Sequence, residues 1–182
     1  MVIPLLRTKL FIPPPQSGLV HRPRLTNLIN EGLTRKLTLI SAPAGFGKTT
    51  LLSEWIPTSR RPVTCLSLEE ADNDPIRFWT YFMAALQMLQ ENLVKDAQAF
   101  LFAEGRQTNL NQLESFLTIL LNDISVFSGE FALVLDDYQH INNQVIYEGI
   151  IFLIDHLPPN MHVIITCRAD PTLPLARLRA RS

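Results

Sequence analysis

The fold of this chain is decided by one stretch of the sequence, Ala42-Pro-Ala-Gly-Phe-Gly-Lys-Thr49. It follows the pattern G-x-x-x-x-G-K-[ST], in which backbone N–H groups surround the phosphates of a nucleotide. We expect Gly45 and Gly47 to supply the positive φ angles that such a loop needs. Ala42 stands where the pattern has its first glycine, and alanine is the smallest substitute for that residue.

The segments on either side of this stretch support the same interpretation. Residues 36–41 are apolar and β-branched, which is typical of a buried parallel strand. Residues 50–56 predict a short helix that ends at Pro57. A strand, a glycine-containing loop and a helix in this order favour a phosphate site over an ordinary turn, and the helix N-terminus adds its dipole. The predicted nucleotide contacts in the loop are Ala44, Gly45, Phe46, Gly47, Lys48, Thr49 and Thr50.

The composition limits the possible classes of function. With 182 residues, 47 % of them hydrophobic, the chain suits one globular domain. Its formal net charge of −1 disfavours nucleic-acid binding by this segment. No apolar run reaches the roughly 18 residues of a membrane span, and the N-terminus lacks the features of a secretory signal. Cys65 and Cys167 fall within strand candidates, which predicts buried thiols in a cytoplasmic protein.

Three further strands are predicted at residues 62–68, 130–136 and 161–167, and they alternate with helical patterns. This alternation indicates an α/β fold of three layers, with a parallel sheet covered by helices on both faces. Sites in such sheets lie beyond the carboxyl ends of the strands. Asp136 ends one predicted strand, Asp137 follows it, and Arg168 follows the next strand, so all three are expected to meet the loop at one edge.

Each of these polar residues is a candidate for one part of nucleotide chemistry. Thr49 and Asp136 are predicted to hold Mg²⁺, while Lys48 reaches the β- and γ-phosphates. Asp137 is the candidate to orient an attacking water; the alternative is that it supports Asp136 or caps the loop. Arg168 is the candidate to contact the γ-phosphate.

An alternative for Arg168 is an ion pair with Asp170 in the turn after the strand.

Residues 1–24 are rich in proline and are predicted to form an extended arm, followed by a nucleotide-binding domain over residues 25–182. The arm ends in the basic cluster His21-Arg-Pro-Arg24. From the residues alone, this cluster is either a solvated charge or a contact to nucleotide, and the first is the default.

The sequence also resembles a known family, the MalT-like activators, which are large LuxR-family transcriptional regulators in the STAND class of P-loop ATPases. The resemblance covers nearly the whole chain. Its segments are residues 8–15, 19–25, 39–55, 66–68, 72–79, 135–138, 166–168 and 170–181.

The resemblance implies an ATP/ADP switch with slow ATP hydrolysis, in which an ADP-bound resting form gives way to an ATP- and inducer-bound form that self-associates. It also places Arg22 and Arg24 near the adenine and ribose, and alanine at position 42 is usual in the family. In the family a winged helix, a helical-repeat sensor and a C-terminal helix-turn-helix follow this domain, so contact with DNA would belong to a C-terminal domain outside this chain. The chain is therefore expected to be an N-terminal fragment.

The family's sheet has the strand order 5-1-4-3-2, and its fifth strand is expected beyond Ser182. The strand at 36–41 would then lie at a sheet edge, where it either pairs with another chain or is covered by Lys9–Ile12. Two other functions stay open from the sequence. One is a small-molecule kinase that uses an acidic residue of the segment 69–74 as its base, and the other is a nucleotide-binding module without turnover.

Overall fold

A parallel sheet lies at the centre of the molecule in the computed structural model, which describes residues 4–14, 20–103, 110–169 and 173–174. Its strands are β1 (Leu37–Ser41), β2 (Val63–Ser67), β3 (Phe131–Asp136) and β4 (Met161–Cys167). Their order across the sheet is β1-β4-β3-β2, and every neighbouring pair is parallel. The predicted α/β fold class and all four predicted strands are confirmed.

Six α-helices connect or flank these strands in the described part of the chain. They are α1 (Pro23–Gly32), α2 (Lys48–Trp55), α3 (Pro75–Gln87), α4 (Lys95–Ala103), α5 (Leu110–Ser125) and α6 (Gln144–Asp155). Helix α4 was not predicted, because only Ala97 and Leu101 of its residues are buried and its apolar pattern is weak. None of the helices in the described residues is long and apolar enough to cross a lipid bilayer.

The sheet is buried on both faces because the side chains of its central strands alternate between two cores. On β3, Ala132 and Val134 pack in the smaller core with residues of α1 and α2. Leu133 and Leu135 point to the opposite face and join the larger core, formed with α3, α4, α5 and α6. This alternation follows from the two-residue period of a strand and gives the three predicted layers.

The aromatic residues of α3 belong to the larger core. The Trp79 ring is fully buried and lies 5.1 Å from the Phe82 ring and 5.6 Å from the Phe116 ring of α5, both in edge-to-face geometry. Such pairs stabilise a core beyond their buried area. The aromatic residues Phe78, Trp79 and Phe82 of α3 are therefore part of the core.

The N-terminal segment packs beside β2 rather than beside β1. Residues Arg7–Leu10 form a 3₁₀ turn in which Lys9 and Leu10 are buried. The Lys9 ammonium forms ion pairs with Glu69 and with the fully buried Asp72, both of which follow β2. The suggestion that Lys9–Ile12 covers β1 is therefore wrong, because the buried Asp72 carboxylate holds this segment at the opposite edge of the sheet.

Strand β1 is an edge of the sheet, as predicted, since β4 is its one neighbour among the described residues. No fifth strand occurs within those residues. The proposed boundary at residues 24 and 25 falls inside α1, which begins at Pro23. The division of the chain into an arm and a domain stays a prediction.

Both cysteines are buried and are not joined in a disulfide, in agreement with the prediction of buried thiols. Burial raises the pKa of the Cys65 thiol to about 12, and the nearby charge of Asp136 acts in the same direction. The thiol of Cys65 is therefore protonated at neutral pH and is a poor nucleophile.

His162 is a buried titratable group at the start of β4, at the end of the sheet away from the loop. Its Nδ1 lies 2.5 Å from the carbonyl oxygen of Arg35 and its Nε2 lies 3.0 Å from Oγ1 of Thr38. Because a carbonyl only accepts, Nδ1 carries the proton and Nε2 accepts from the threonine hydroxyl. Burial lowers the pKa of His162; the hydrogen bond to the Arg35 carbonyl opposes this shift, and the positive charge of Arg61 adds to it.

This lowered pKa predicts that the fold loses stability in mild acid. The unfolded chain takes up a proton at His162 near pH 6.5, whereas the folded chain does so only at lower pH. Protonation of His162 therefore does not reduce the free energy of unfolding above about pH 6.5. Below that pH the free energy of unfolding falls, by up to about 1.4 kcal/mol per pH unit for one proton. Urea unfolding between pH 8 and pH 5 should show a smaller dependence of stability on pH for His162→Gln.

His156, which is exposed, supplies a matched control. The substitution His156→Gln should keep the wild-type dependence of stability on pH. The wild-type pH dependence in His162→Gln would contradict the assignment of this acid sensitivity to His162.

Candidate functional site

The loop between β1 and α2 has the backbone conformation that a phosphate cradle requires. The Ala42 N–H donates to the Cys167 carbonyl at 3.2 Å and so extends the pairing of β1 with β4 by one residue. Gly45 and Gly47 then adopt φ angles of 81° and 78°, as the sequence predicts, and Gly47 caps the N-terminus of α2. Ala42 does not have a positive φ angle. The departure from glycine at this position therefore introduces no backbone strain.

Lys48 is the first residue of α2, and its side chain is folded across the loop. Its Nζ donates to the carbonyl oxygens of Ala42 at 2.7 Å and of Pro43 at 3.3 Å. The residue is buried, so the ammonium is held close to the inner surface of the loop. This position suits a point charge that binds phosphate oxygens.

Thr49 and Asp136 meet next to the loop, as the sequence predicts. The Thr49 hydroxyl donates to Oδ2 of Asp136 at 3.1 Å, and the Thr166 hydroxyl at the end of β4 donates to Oδ1. Asp136 is only 3 % exposed. A hydroxyl and a carboxylate oxygen at hydrogen-bond distance are donors that suit Mg²⁺, which otherwise keeps water and phosphate ligands. The residues present therefore fit such an ion, although no group of three acidic, histidine or cysteine ligands occurs among the described residues.

Asp137 has an unusual backbone conformation, with φ 58° and ψ 42°. It is the one non-glycine residue with a positive φ in the described part of the chain. Its N–H donates to Oγ1 of Thr166 at 3.1 Å, and its Oδ1 accepts from Nε2 of Gln139 at 2.8 Å. A strained residue of this kind persists only where its surroundings fix it, and such residues concentrate at functional sites.

Arg168 lies at the end of β4, and its side chain is exposed. Its main-chain N–H donates to Oε1 of Gln139 at 3.1 Å. Within the described residues its guanidinium forms no ion pair, and the alternative partner Asp170 lies outside them. The main chain of Arg168 is therefore linked to Asp137 through Gln139, whereas no contact among the described residues fixes the Arg168 guanidinium.

The two arginines of the basic cluster differ in their relation to the loop. Nη1 of Arg22 donates to the Phe46 carbonyl at 3.1 Å, so its guanidinium lies at the loop. The carboxylate of Glu54 on α2 accepts from the Arg22 N–H at 3.3 Å and lies 2.9 Å from Nδ1 of His21. Arg24 is exposed and has no hydrogen bond or ion pair to any residue that the structure describes.

Sequence reasoning missed three residues that organise this site, namely Glu54, Gln139 and Thr166. A polar residue within the apolar strand β4 is a usable signal for Thr166, because buried hydroxyls need partners. Glu54 and Gln139 carry no such signal, since each is an ordinary polar residue of a helix or turn and acquires its partners only in the folded chain.

The fold and the loop together define a class of protein. A parallel sheet whose first strand leads into this loop, with helices on both faces, is the P-loop NTPase fold. A solved structure supports the same fold: the Walker-type ATPase of Pyrococcus abyssi matches with a TM-score of 0.53 and 18 % identity, over 86 % of this chain and 48 % of that one.

Similarity in sequence to curated proteins assigns the chain to a smaller group within this class. The HTH-type transcriptional regulator MalT of Vibrio cholerae is 34 % identical over 162 residues, which is 89 % of this chain and 17 % of the relative. MalT of Yersinia pestis is 37 % identical over 177 residues, 97 % of this chain and 19 % of the relative. The chain is thus a MalT-like P-loop NTPase domain in sequence and fold, and it spans less than a fifth of these relatives' length. No protein-family model matches it.

Thr166 gives a stability prediction for the site. The substitution Thr166→Val keeps the shape of the side chain but leaves Asp136 Oδ1 without its donor and the Asp137 N–H without its acceptor. Because both groups are close to this buried hydroxyl, we expect a loss of about 1–3 kcal/mol in the free energy of unfolding, measured with urea. Thr166→Ser retains the hydroxyl and should lose less, whereas equal stability of Thr166→Val and wild type would contradict the role of this bond.

Proposed function

We propose that this chain binds a Mg²⁺-nucleotide in the loop 42–50 and acts as the ATP/ADP switch domain of a signal-responsive transcriptional activator, with slow ATP hydrolysis. The observation that carries the proposal is the contact between Thr49 and Asp136. A phosphate-type loop alone indicates an anion site, whereas a hydroxyl and a buried carboxylate beside it add the oxygen ligands of a hard cation. Anion and cation sites in contact are what a Mg²⁺-nucleotide requires.

The phosphates would be bound mainly by main-chain groups. The N–H groups of residues 44–50 and the N-terminus of α2 offer hydrogen bonds and a positive dipole end to them. Lys48 would exchange the carbonyls of Ala42 and Pro43 for β- and γ-phosphate oxygens. Thr49 and Asp136 would hold Mg²⁺, whose charge would offset that of the phosphates.

The nucleoside would be bound on the side of the loop where the basic cluster lies. The contact of Arg22 with the Phe46 carbonyl supports this position. The family resemblance extends the role to Arg24, which would contact the adenine or ribose together with Arg22. Glu54 would keep this segment against α2 through its bonds to His21 and Arg22.

Hydrolysis would depend on residues at the ends of β3 and β4. Asp137 would orient the attacking water and accept its proton, and Arg168 would stabilise charge on the γ-phosphate. Asp137 is held by hydrogen bonds at both its main chain and its side chain, which supports a positioned carboxylate. Slow turnover suits a switch, because the ATP-bound form must persist long enough to act.

The regulatory part of the proposal comes from the relatives, which are named as HTH-type transcriptional regulators. In a longer protein of this kind, DNA would be bound by a C-terminal domain, in keeping with the net charge of −1 of this chain. Self-association would follow ATP binding in that longer protein. A cytoplasmic location follows from the same role.

The structure disfavours the alternative of a small-molecule kinase. Its candidate bases lie in the segment after β2, where Glu69 and Asp72 are both engaged in ion pairs with Lys9 and Arg77. The Asp74 side chain caps α3 by accepting from the Arg77 N–H. These three carboxylates have structural partners, so they are poorly placed to act as bases, whereas the fourth candidate, Glu70, is exposed. The alternative of nucleotide binding without turnover is separated from the proposal by measurement of phosphate release.

Removal of the Lys48 charge tests the phosphate site. Calorimetry with ATP and Mg²⁺ should show a loss of affinity of about 10- to 100-fold in Lys48→Ala, since hydrogen bonds to charged groups contribute about 1.5–3 kcal/mol. Lys95→Ala, which removes an exposed lysine of α4, should bind as wild type does. Equal affinity of Lys48→Ala and wild type would refute the assignment of the loop.

The two aspartates at the end of β3 should have separable roles. Asp136→Asn should weaken Mg²⁺-dependent ATP binding, because a neutral amide is a poorer ligand for a hard cation. Asp137→Asn should leave binding intact and slow phosphate release in a single turnover by about 100-fold, the lower range for loss of a general base. If Asp137→Asn releases phosphate at the wild-type rate, Asp137 has a structural role only.

A further inference from the structure

Gln139 connects the two residues that are proposed to act on the γ-phosphate and the attacking water. It lies in the 3₁₀ turn Tyr138–His140, directly after Asp137. Its Nε2 donates to Oδ1 of Asp137 at 2.8 Å, and its Oε1 accepts from the main-chain N–H of Arg168 at 3.1 Å. One side chain therefore bridges the carboxyl ends of β3 and β4.

The orientation of this amide is fixed by its partners. The N–H of Arg168 can only donate, so the amide oxygen of Gln139 must face it. The amide nitrogen then faces Oδ1 of Asp137, which accepts its hydrogen bond. Only a side chain with a donor and an acceptor at this spacing satisfies both groups. An ordinary surface glutamine has no such requirement.

The bridge closes a network around Asp137. The main-chain N–H of Asp137 donates to Thr166, and the Thr166 hydroxyl donates to Asp136. Buried Tyr138 anchors the turn that carries Gln139. Asp137 is thus held at its main-chain N–H by Thr166 and at Oδ1 of its carboxylate by Gln139. Among the described residues, Oδ2 has no hydrogen-bond partner, so this is the oxygen left to accept from a water.

We infer that Gln139 is a positioning residue for ATP hydrolysis: it holds the Asp137 carboxylate in the orientation that receives the proton of the attacking water, and it ties that orientation to the main chain of Arg168. The inference rests on the proposed function and deepens it. Its physical basis is that a misplacement of about 1 Å in a reacting group can cost a factor of about 100 in rate. Without its partner, the carboxylate rotates about its side-chain torsions and is aligned only part of the time.

A double-mutant cycle with single-turnover phosphate release tests this role on the purified chain. Gln139→Met keeps the length of the side chain and removes both hydrogen bonds. We expect it to slow phosphate release about tenfold, the lower range for loss of a group that orients a functional residue. The Kd for ATP with Mg²⁺ should stay within about twofold of wild type, because Gln139 does not touch the loop.

The same substitution in the Asp137→Asn background should cause no further loss, since Gln139 acts through Asp137. Gln139→Glu, which keeps the acceptor for Arg168 but offers Asp137 a like charge, should be at least as slow as Gln139→Met. Gln144→Met, which alters an exposed glutamine of α6, should leave the rate unchanged and serves as the matched control.

Two results would overturn the inference while the proposed function stands. One is a wild-type rate in Gln139→Met, and the other is an equal loss of rate in the wild-type and Asp137→Asn backgrounds. A different result, in which wild type releases phosphate no faster than Asp137→Asn, would overturn the catalytic role proposed for Asp137 together with this inference, and a wild type that releases no phosphate would overturn the hydrolytic part of the proposed function. Calorimetry would then still report whether nucleotide is bound.

Discussion

The Asp136 carboxylate accepts hydrogen bonds from Thr49 at the start of α2 and from Thr166 at the end of β4. It is itself the last residue of β3, so one buried group joins three elements of the fold at the edge where the loop lies. A buried carboxylate is costly unless its oxygens are hydrogen-bonded, and here each oxygen has a hydroxyl donor. The geometry of the loop, of Asp137 and of β4 therefore depends on these two bonds.

The hydroxyl donors satisfy the hydrogen-bonding needs of Asp136 but do not neutralise its charge. The effect of that charge extends to β2, where Asp136 helps burial to raise the pKa of Cys65. The N-terminus of α2 supplies partial positive charge nearby, and Lys48 lies in the same loop. Because negative charge on Asp136 lies beside positive charge on Lys48 and at the N-terminus of α2, the site favours a cation that brings further ligands of its own. In this account, Mg²⁺ and nucleotide phosphates complete the site together because neither is fully accommodated without the other.

Much of this arrangement could be predicted from the sequence because it depends on local patterns. The four strands are short runs of mostly apolar and β-branched residues, and Gly45 and Gly47 sit at fixed offsets from Lys48, so both the sheet and the loop follow from short stretches. The rest depends on contacts between distant residues. The position of Lys9 beside β2 required the buried Asp72, which looks in the sequence like one more acidic loop residue. Likewise, the bridge by Gln139 exists only once β3 and β4 are paired.

A crystal structure of the chain grown with Mg²⁺ and a non-hydrolysable ATP analogue tests most directly whether Thr49 and Asp136 hold the metal of a bound nucleotide. We expect the β-phosphate within hydrogen-bond distance of the N–H groups of residues 45–49. We also expect Mg²⁺ bonded to Oγ1 of Thr49 at about 2.1 Å, with Asp136 bound directly or through one water. A nucleotide bound away from this loop, or a metal ion that contacts neither residue, would contradict this assignment of the site.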